Sequence, residues 1–145
     1  MIVLMRHGEA EHQAPSDALR PLSVRGRAEV QQSLDWLRQS AWPIQGIVAS
    51  PYLRAQQTAH ICAAGLGLSV TTEQALTPDS LPERAESALR EFEGYLVCFH
   101  QPILGRLVHR LSLQQPSVPT GAVFVLTGDW LAADWMTMEQ TFCPQ

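Results

Sequence analysis

The chain has 145 residues, a formal net charge of −4 and ten basic residues, every one of them arginine. Because 46% of the residues are apolar and 17% are charged, the composition predicts a folded chain with a sizeable core, in one domain spanning residues 1–145. A mildly acidic chain without a basic run argues against nucleic-acid binding, and no apolar run is long enough to cross a membrane.

The three cysteines, Cys62, Cys98 and Cys143, lie far apart in the sequence and include no CxxC pair. An odd number without close spacing indicates neither a disulfide framework nor a zinc site. We expect reduced, mostly buried thiols, which favour a cytoplasmic location.

Strand-like and helix-like segments alternate along the first half of the chain. Residues 2–5 form a continuous apolar run, typical of a strand buried on both faces of a parallel sheet. After a polar loop over residues 8–22, Ser23 is expected to cap a helix. A second strand is predicted at residues 47–49, with a helix after Pro51. The apolar stripes expected on these two helices are Val30, Leu34, Leu37 and Ala41, and then Ala55, Ala59, Cys62 and Leu66.

The second half of the chain continues this alternation. A weaker strand is predicted near residues 68–72, followed by a helix, a strand at residues 95–99 and a further helix after Pro102. The apolar stripe expected on the first of these helices is Ala85, Leu89, Phe92 and Leu96, although the helix must end before the strand at residues 95–99. The stripe expected on the second is Leu104, Leu107, Val108 and Leu111.

Two strand-like runs close the chain, at residues 122–127 and 130–137, and Gly128-Asp129 between them suits a two-residue hairpin turn. The alternation before them predicts an α/β fold, with a mostly parallel central sheet and helices on both faces. The hairpin is expected to add an antiparallel pair at one edge of that sheet.

Three polar segments each follow a predicted strand. Arg6 and His7 follow the first strand, Arg54 follows the second, and His100 follows the strand that ends at residue 99. The carboxyl ends of parallel strands meet at one edge of a sheet, where open α/β sheets bind their ligands. We therefore expect these segments to form one pocket.

The residue types in these segments suit phosphoryl chemistry. Arg6 and Arg54 offer forked N–H groups to phosphate oxygens. A neutral imidazole is nucleophilic toward phosphorus near neutral pH, which makes His7 the candidate nucleophile. Gly8 would let the backbone approach the phosphate and turn its N–H toward it. His100 would add a donor and, where protonated, positive charge, although two nearby arginines would lower its pKa.

The set of motifs resembles the histidine phosphatase, or phosphoglycerate-mutase-like, superfamily over nearly the whole chain. These motifs are RHG at residues 6–8, SPYLRAQQTA at residues 50–59 and HQP at residues 100–102. The resemblance implies that His7 is phosphorylated transiently while Arg6, Arg54 and His100 bind the phosphate. No metal or other cofactor is implied.

Within that superfamily, the chain is most similar to the small SixA-type phosphohistidine phosphatases. The similarity lies in its short length and in residues 16–23 (SDALRPLS), followed by Gly26. It implies that Arg20 is a third phosphate-facing arginine, although the sequence alone is equally consistent with a surface loop arginine. The implied substrate is phosphohistidine on a protein, and a histidine-phosphotransfer domain is one candidate partner.

The chain lacks the catalytic Glu that larger members of the superfamily often carry as a general acid. The corresponding region reads ALTPDS at residues 75–80, and SixA-type proteins lack this Glu as well. Glu9, Asp17 and Asp79 are alternative acids, although each also fits an ordinary loop carboxylate. Phe99 precedes His100 at a position where small polar residues are frequent in the superfamily.

The expected reaction has two steps, attack of His7 on phosphorus and then hydrolysis of the phosphohistidine by water. It needs no metal, because the arginines neutralise the phosphate and no carboxylates or histidines have metal-site spacing. Two alternatives stay open: a phosphomonoesterase for a small metabolite, and a phosphate- or phosphoprotein-binding module without turnover. The loops at residues 8–22 and 72–82 are too short to form a cap, and an open pocket favours a protein substrate.

Overall fold

A computed structural model describes residues 1–145 and contains six strands and four α-helices. In chain order they are β1 Ile2–Arg6, α1 Val24–Ser40, β2 Ile47–Ala49, α2 Leu53–Leu66, β3 Val70–Thr72, α3 Pro82–Leu89, β4 Leu96–Phe99, α4 Ile103–Ser112, β5 Val123–Thr127 and β6 Thr137–Phe142. Three short 3-10 helices lie at Asp17–Leu19, Gln74–Leu76 and Arg90–Phe92. None of the helices is both long enough and apolar enough to span a membrane.

The six strands form one sheet in the order β3-β2-β4-β1-β5-β6. The first four in this order are parallel, whereas β5 runs antiparallel to β1 and β6 runs antiparallel to β5. This arrangement confirms the predicted mostly parallel sheet with an antiparallel pair at one edge. It also brings the start of β5 to the edge of the sheet where β1, β2 and β4 end.

Helices cover both faces of the sheet, as the continuous apolar run in β1 predicts. Ile2 and Leu4 face a core cluster that includes residues of α3 and α4, whereas Val3 and Met5 face a second cluster that includes residues of α1 and α2. All four side chains are fully buried. A strand covered on both sides has no polar face, which is why its sequence shows no alternation.

Helix α1 begins after Ser23, which confirms the predicted N-cap, but the helix ends before Ala41, which was predicted to lie on its apolar stripe. The Ser23 side chain accepts a hydrogen bond from the backbone N–H of Gly26. Ala41 does not continue the buried stripe, because it adopts a left-handed conformation with φ of 58° that ends the helix, and its side chain is exposed. The three cysteines are free; Cys62 and Cys98 are buried and Cys143 is exposed.

The predicted two-residue turn at Gly128-Asp129 is wrong. Residues 128–136 form a longer connection, and the last strand begins only at Thr137. Leu131 and Met136 point into the core instead of pairing across a hairpin, and the Met136 N–H donates to the carbonyl oxygen of Leu111. Burial of these two apolar side chains therefore outweighs the local turn signal.

Gly26 offers a test of the close approach between α1 and the loop after β1. A Cβ at this position would overlap the backbone carbonyl of Glu9. We expect Gly26→Ala to lower the free energy of unfolding by about 1–3 kcal/mol, because neither backbone can move away freely. Urea denaturation measures this loss. Gly105→Ala is the matched helical control, since its Cβ would meet only the flexible Gln101 side chain, and an equal loss in both variants would contradict the explanation.

Candidate active site

The three polar segments meet at one edge of the sheet. Strand β4 pairs with both β1 and β2, so that Arg6 lies opposite Phe99 and Ala49 lies opposite Cys98. The residues that follow these strands therefore emerge side by side. The hydrogen bond from the His7 N–H to the Phe99 carbonyl oxygen, 3.1 Å long, continues this pairing into the site.

The His7 ring has a defined tautomer. Its Nδ1 lies 2.6 Å from the carbonyl oxygen of Gly8, which can only accept a hydrogen bond, so Nδ1 carries the proton. The other ring nitrogen, Nε2, then has a free lone pair, and Arg54 Nε donates to it at 3.3 Å. His7 is 7% exposed. The geometry thus presents a neutral imidazole whose Nε2 is the nucleophilic atom.

The surroundings of His7 favour this neutral form. Burial, together with the smaller effects of the charges on Arg54, Arg6 and Arg20, lowers the pKa of His7 to about 4, against the opposing effect of the hydrogen bond to Gly8. A histidine in water has a pKa of about 6.5. His7 is therefore unprotonated at neutral pH.

Arg54 is held by Asp17 from the loop after β1. It is 5% exposed, and its two terminal nitrogens donate to the Asp17 carbonyl oxygen at 2.7 Å and carboxylate at 3.2 Å. The guanidinium carbon also lies 5.1 Å from the centre of the Tyr52 ring. A guanidinium has five N–H groups, so these contacts and the bond to His7 leave donors for a ligand.

One side-chain nitrogen of Arg6 donates a hydrogen bond to the loop before β5, and another has no hydrogen-bond partner. Its terminal nitrogen donates to the Val118 carbonyl oxygen at 2.8 Å, whereas Nε is buried and unpaired. Burial lowers the pKa of Arg6, while the Glu29 carboxylate acts in the opposite direction. A buried guanidinium N–H without an acceptor is a donor suited to an anion.

Arg20 also lines the cleft that contains His7, Arg6 and Arg54. Its Nε donates to the Glu11 carbonyl oxygen at 2.7 Å, and a terminal nitrogen donates to the Asp17 carboxylate at 3.1 Å. Asp17 thus bridges two of the three arginines.

Gly8 is placed differently from the prediction. Its N–H donates to Thr58 Oγ1 at 3.2 Å, so it is directed at α2 and is not free to face a phosphate. A Cβ at this position would overlap the Gly26 carbonyl and the Val30 side chain. The glycine is needed because α1 packs against the backbone at this point.

His100 lies beneath the surface of the site, next to His7. It is 1% exposed, and its ring centre is 5.2 Å from that of His7 and 5.1 Å from that of Tyr52. Nε2 lies 2.7 Å from Ser50 Oγ, and Nδ1 has no hydrogen-bond partner. Burial, followed by the charges of His7, Arg54 and Arg6, lowers the pKa of His100 to about 2, so that this ring is also neutral.

An open cleft of about 320 Å³ lies above these groups. Its lining residues are Arg6, His7, Glu9, Ala10, His12, Arg20, Arg54, Gln101 and Thr120. Its walls come mainly from the loop at residues 8–22, the turn before α4 and the loop before β5. The stretch at residues 72–82, the other candidate for a pocket wall, contributes none of them.

The three alternative acids are placed unequally. Glu9 lines the cleft, and its carboxylate accepts a hydrogen bond from Ser23. The Asp17 carboxylate is bound to Arg20 and Arg54, and these hydrogen bonds lower its pKa, which makes it a poor proton donor. Asp79 is exposed and does not line the cleft. No three His, Cys, Asp or Glu side chains form a group that could hold a metal ion.

Sequence reasoning missed the groups that hold the site from behind. Glu29 is 8% exposed and accepts hydrogen bonds from the Glu9 N–H and the Thr120 hydroxyl, both at 2.8 Å. Ser33, one turn later, donates to the Gly121 carbonyl oxygen at 2.6 Å. Their spacing of four places them on the buried face of α1 beside the predicted apolar stripe, and this was the available signal.

The fold and this cluster of two histidines and three arginines define the class of protein. Residues 2–83 match the model of the histidine phosphatase superfamily (branch 1). The match covers more than half of the chain, and the chain belongs to this superfamily.

Individual relatives agree with this assignment. The chain is 33% identical over 137 residues to phosphohistidine phosphatase SixA of Escherichia coli strain K12, covering 88% of this chain and 85% of that protein. It is 32% identical over 124 residues to a SixA homolog of Haemophilus influenzae, covering 76% of each chain. A solved structure of the protein histidine phosphatase SixA complexed with tungstate superposes with a TM-score of 0.88 at 29% identity, over 99% of this chain and 96% of that one.

The lowered pKa of His7 can be measured directly. We expect its ring to stay neutral at about pH 6, because burial and the arginine charges lower its pKa to about 4. An NMR titration of the histidine ring protons in the ligand-free protein, assigned with His7→Gln, reports the value. Arg54→Gln should raise this pKa because it removes a neighbouring cation, whereas Arg38→Gln, on the exposed face of α1, should leave it unchanged. Titration of His7 near its unfolded value in the wild type would contradict the arrangement.

Proposed function

We propose that this chain is a protein phosphohistidine phosphatase that accepts the phosphoryl group on Nε2 of His7. The observation that carries the proposal is the hydrogen bond between His7 Nδ1 and the Gly8 carbonyl oxygen, 2.6 Å long, which leaves the Nε2 lone pair available. Two relatives that match the chain over most of its length are named phosphohistidine phosphatase SixA and a homolog of it, which supports the same assignment.

The arginines are proposed to bind the phosphoryl oxygens. Arg6 has an unpaired buried Nε, Arg54 donates to the nucleophilic nitrogen itself, and Arg20 lines the same cleft. Phosphoryl transfer depends mainly on positioning and on stabilising the charge of the equatorial oxygens. The similar SixA structure holds tungstate, an oxyanion, which is consistent with an anion site of this kind.

In the proposed first step, the His7 Nε2 lone pair attacks phosphorus in line with the bond to the leaving nitrogen. A bond forms between Nε2 and phosphorus, and the phosphorus–nitrogen bond of the substrate breaks. The substrate imidazole leaves as a neutral ring when its other nitrogen already carries a proton. His7 becomes a phosphorylated imidazolium whose Nδ1–H still donates to Gly8.

In the proposed second step, a water molecule attacks phosphorus and the bond to His7 Nε2 breaks. The electron pair returns to Nε2, so His7 is again the neutral Nδ1–H tautomer, and the water protons leave with the phosphate. Neither step requires a carboxylic acid, in agreement with an Asp17 carboxylate that the arginines keep ionised. The arginines also supply the positive charge that a metal ion would otherwise provide, so we propose a metal-independent reaction.

The open cleft favours a phosphorylated protein as the substrate. Its walls are short loops. Two exposed apolar side chains lie nearby in the sequence, Leu19 within the loop at residues 8–22 and Val24 at the start of α1, directly after that loop. A small metabolite is usually enclosed on most sides, which this cleft does not provide. A phosphohistidine side chain on a histidine-phosphotransfer domain is a suitable partner, and a cytoplasmic location agrees with such a partner and with free cysteines.

The covalent step predicts that His7→Ala abolishes turnover without unfolding the protein, because the variant removes the nucleophile at the edge of the sheet. Rapid acid-free quenching of the wild type should trap phosphate on His7 that is labile in acid and stable in alkali, located by mass spectrometry. His109→Ala, on the exposed face of α4, is the matched control and should keep full activity. A folded His7→Ala protein with substantial turnover would exclude the mechanism.

How readily each leaving group departs predicts the order in which the enzyme hydrolyses different substrates. We expect kcat/KM to be highest for a protein phosphohistidine, lower for activated aryl phosphates and lowest for sugar or serine phosphates, because an alkoxide leaves poorly without a strong acid. One preparation is compared on all three classes, with His7→Ala measuring any contaminating phosphatase. A sugar phosphate or phosphoserine peptide as the best substrate would overturn the substrate assignment and leave the nucleophile intact.

A further inference from the structure

Ser50 lies beside His100 and contacts one of its two ring nitrogens, Nε2, whereas the other, Nδ1, has no hydrogen-bond partner. It is fully buried at the end of β2, and its Oγ is 2.7 Å from His100 Nε2. The backbone of Ser50 is fixed on both sides, since its N–H donates to the Cys98 carbonyl oxygen and its own carbonyl oxygen accepts from Gln56 Nε2. The hydroxyl therefore has a fixed position from which to act on His100.

The direction of the bond between Ser50 and His100 follows from counting protons. A serine hydroxyl has one hydrogen to donate and two lone pairs that accept. The backbone N–H of Tyr52 donates to Ser50 Oγ at 3.2 Å and occupies one of these lone pairs. The remaining contact of the hydroxyl is with His100 Nε2, so the Ser50 hydrogen has no other acceptor among the contacts of this side chain.

Two arrangements are then possible. If Nε2 carried the hydrogen and donated to Ser50, the serine hydrogen would lack an acceptor and the buried Nδ1 lone pair of His100 would lack a donor. If the serine donates to Nε2, Nδ1 carries the hydrogen, and the only unmatched group is the buried Nδ1–H of His100. An unpaired N–H suits an incoming phosphoryl oxygen, whereas an unpaired nitrogen lone pair would repel it.

We propose that Ser50 is a positioning residue that selects the Nδ1–H tautomer of His100 and so makes this neutral ring a hydrogen-bond donor to the phosphoryl group. This inference rests on the proposed function and on the phosphate-binding role that the family resemblance implies for His100. The sequence left the charge of His100 open, and the proposal gives the ring a donor role that needs no added proton. With a pKa lowered to about 2, His100 can contribute a hydrogen bond without carrying a charge.

The two histidines of the site then have the same tautomer, with the hydrogen on Nδ1, but different roles. A backbone carbonyl accepts the Nδ1 hydrogen of His7 and frees Nε2 to attack, whereas a serine hydroxyl occupies Nε2 of His100 and frees the Nδ1 hydrogen to bind an oxygen. The partner of each ring, and not the ring itself, decides whether it is nucleophile or donor.

Nitrogen-15 NMR of the ligand-free protein tests the proposal, because correlations from the ring carbon protons distinguish a protonated from an unprotonated nitrogen. The chain has only five histidines, and His100→Gln identifies the signals of His100. We expect protonated Nδ1 in the wild type and a mixed or Nε2-protonated ring in Ser50→Ala. Added inorganic phosphate should shift the wild-type Nδ1 signal most. A wild-type ring protonated on Nε2 would overturn the proposal whether or not any variant folds.

Kinetics with an aryl phosphate provide the second readout. Ser50→Ala should lower kcat/KM by about tenfold to a hundredfold, by analogy with the loss of other oxyanion donors. Ser50→Thr keeps the hydroxyl and should restore most of the activity together with the Nδ1–H tautomer. Ser40→Ala, which removes a remote hydroxyl bound to the Leu37 carbonyl oxygen, is the control. An unchanged tautomer and unchanged kcat/KM in folded Ser50→Ala would contradict a positioning role.

The two proposals fail separately. If protein phosphohistidine is not hydrolysed but His100 carries its hydrogen on Nδ1 in a Ser50-dependent way, the proposed function falls and the role of Ser50 stands. If turnover through phosphorylated His7 is observed but the His100 ring is protonated on Nε2, the role of Ser50 falls and the proposed function stands.

Discussion

The hydrogen bond from Arg54 Nε to His7 Nε2 is the interaction on which the site depends, because it joins a permanent cation to the lone pair of a neutral base. A protonated His7 could not accept this bond and would lie among three guanidinium groups. The arginine charges therefore keep the imidazole nucleophilic, and the same charges would attract the phosphoryl group that it attacks. One cluster of cations thus serves both the nucleophile and the proposed substrate.

A cluster of this kind must be held in place against its own repulsion. Asp17 binds Arg54 and Arg20 from the loop after β1, and Glu29 lies close enough to Arg6 to oppose the lowering of its pKa. Glu29 also joins the loops that carry Glu9 and Thr120. The carboxylates stabilise the arginines from the sides, while the unpaired Arg6 Nε remains for a ligand.

The ionised state of Asp17 connects the superfamily assignment with the proposed reaction. The carboxylate nearest the arginines is ionised, so a substrate whose leaving group needs no proton suits this site best. A phosphorylated imidazole has that property, and an open cleft allows it to arrive on the surface of a protein. The chemistry of the leaving group and the shape of the cleft therefore favour the same class of substrate.

The sequence by itself determined the strand and helix order and the edge of the sheet at which His7, Arg6, Arg54 and His100 come together. These follow from local pattern, because apolar runs and caps act over a few residues and parallel strands end at a common edge. Only the tertiary structure decided the route of residues 128–136, where burial of Leu131 and Met136 prevailed over a turn signal. It also decided the direction of the Gly8 N–H, the approach of Asp17 and the bond between Ser50 and His100, because each joins groups far apart in the chain. Hydrogen-bond partners of buried polar groups depend on which segments pack together, and residue spacing along the chain carries no record of that packing.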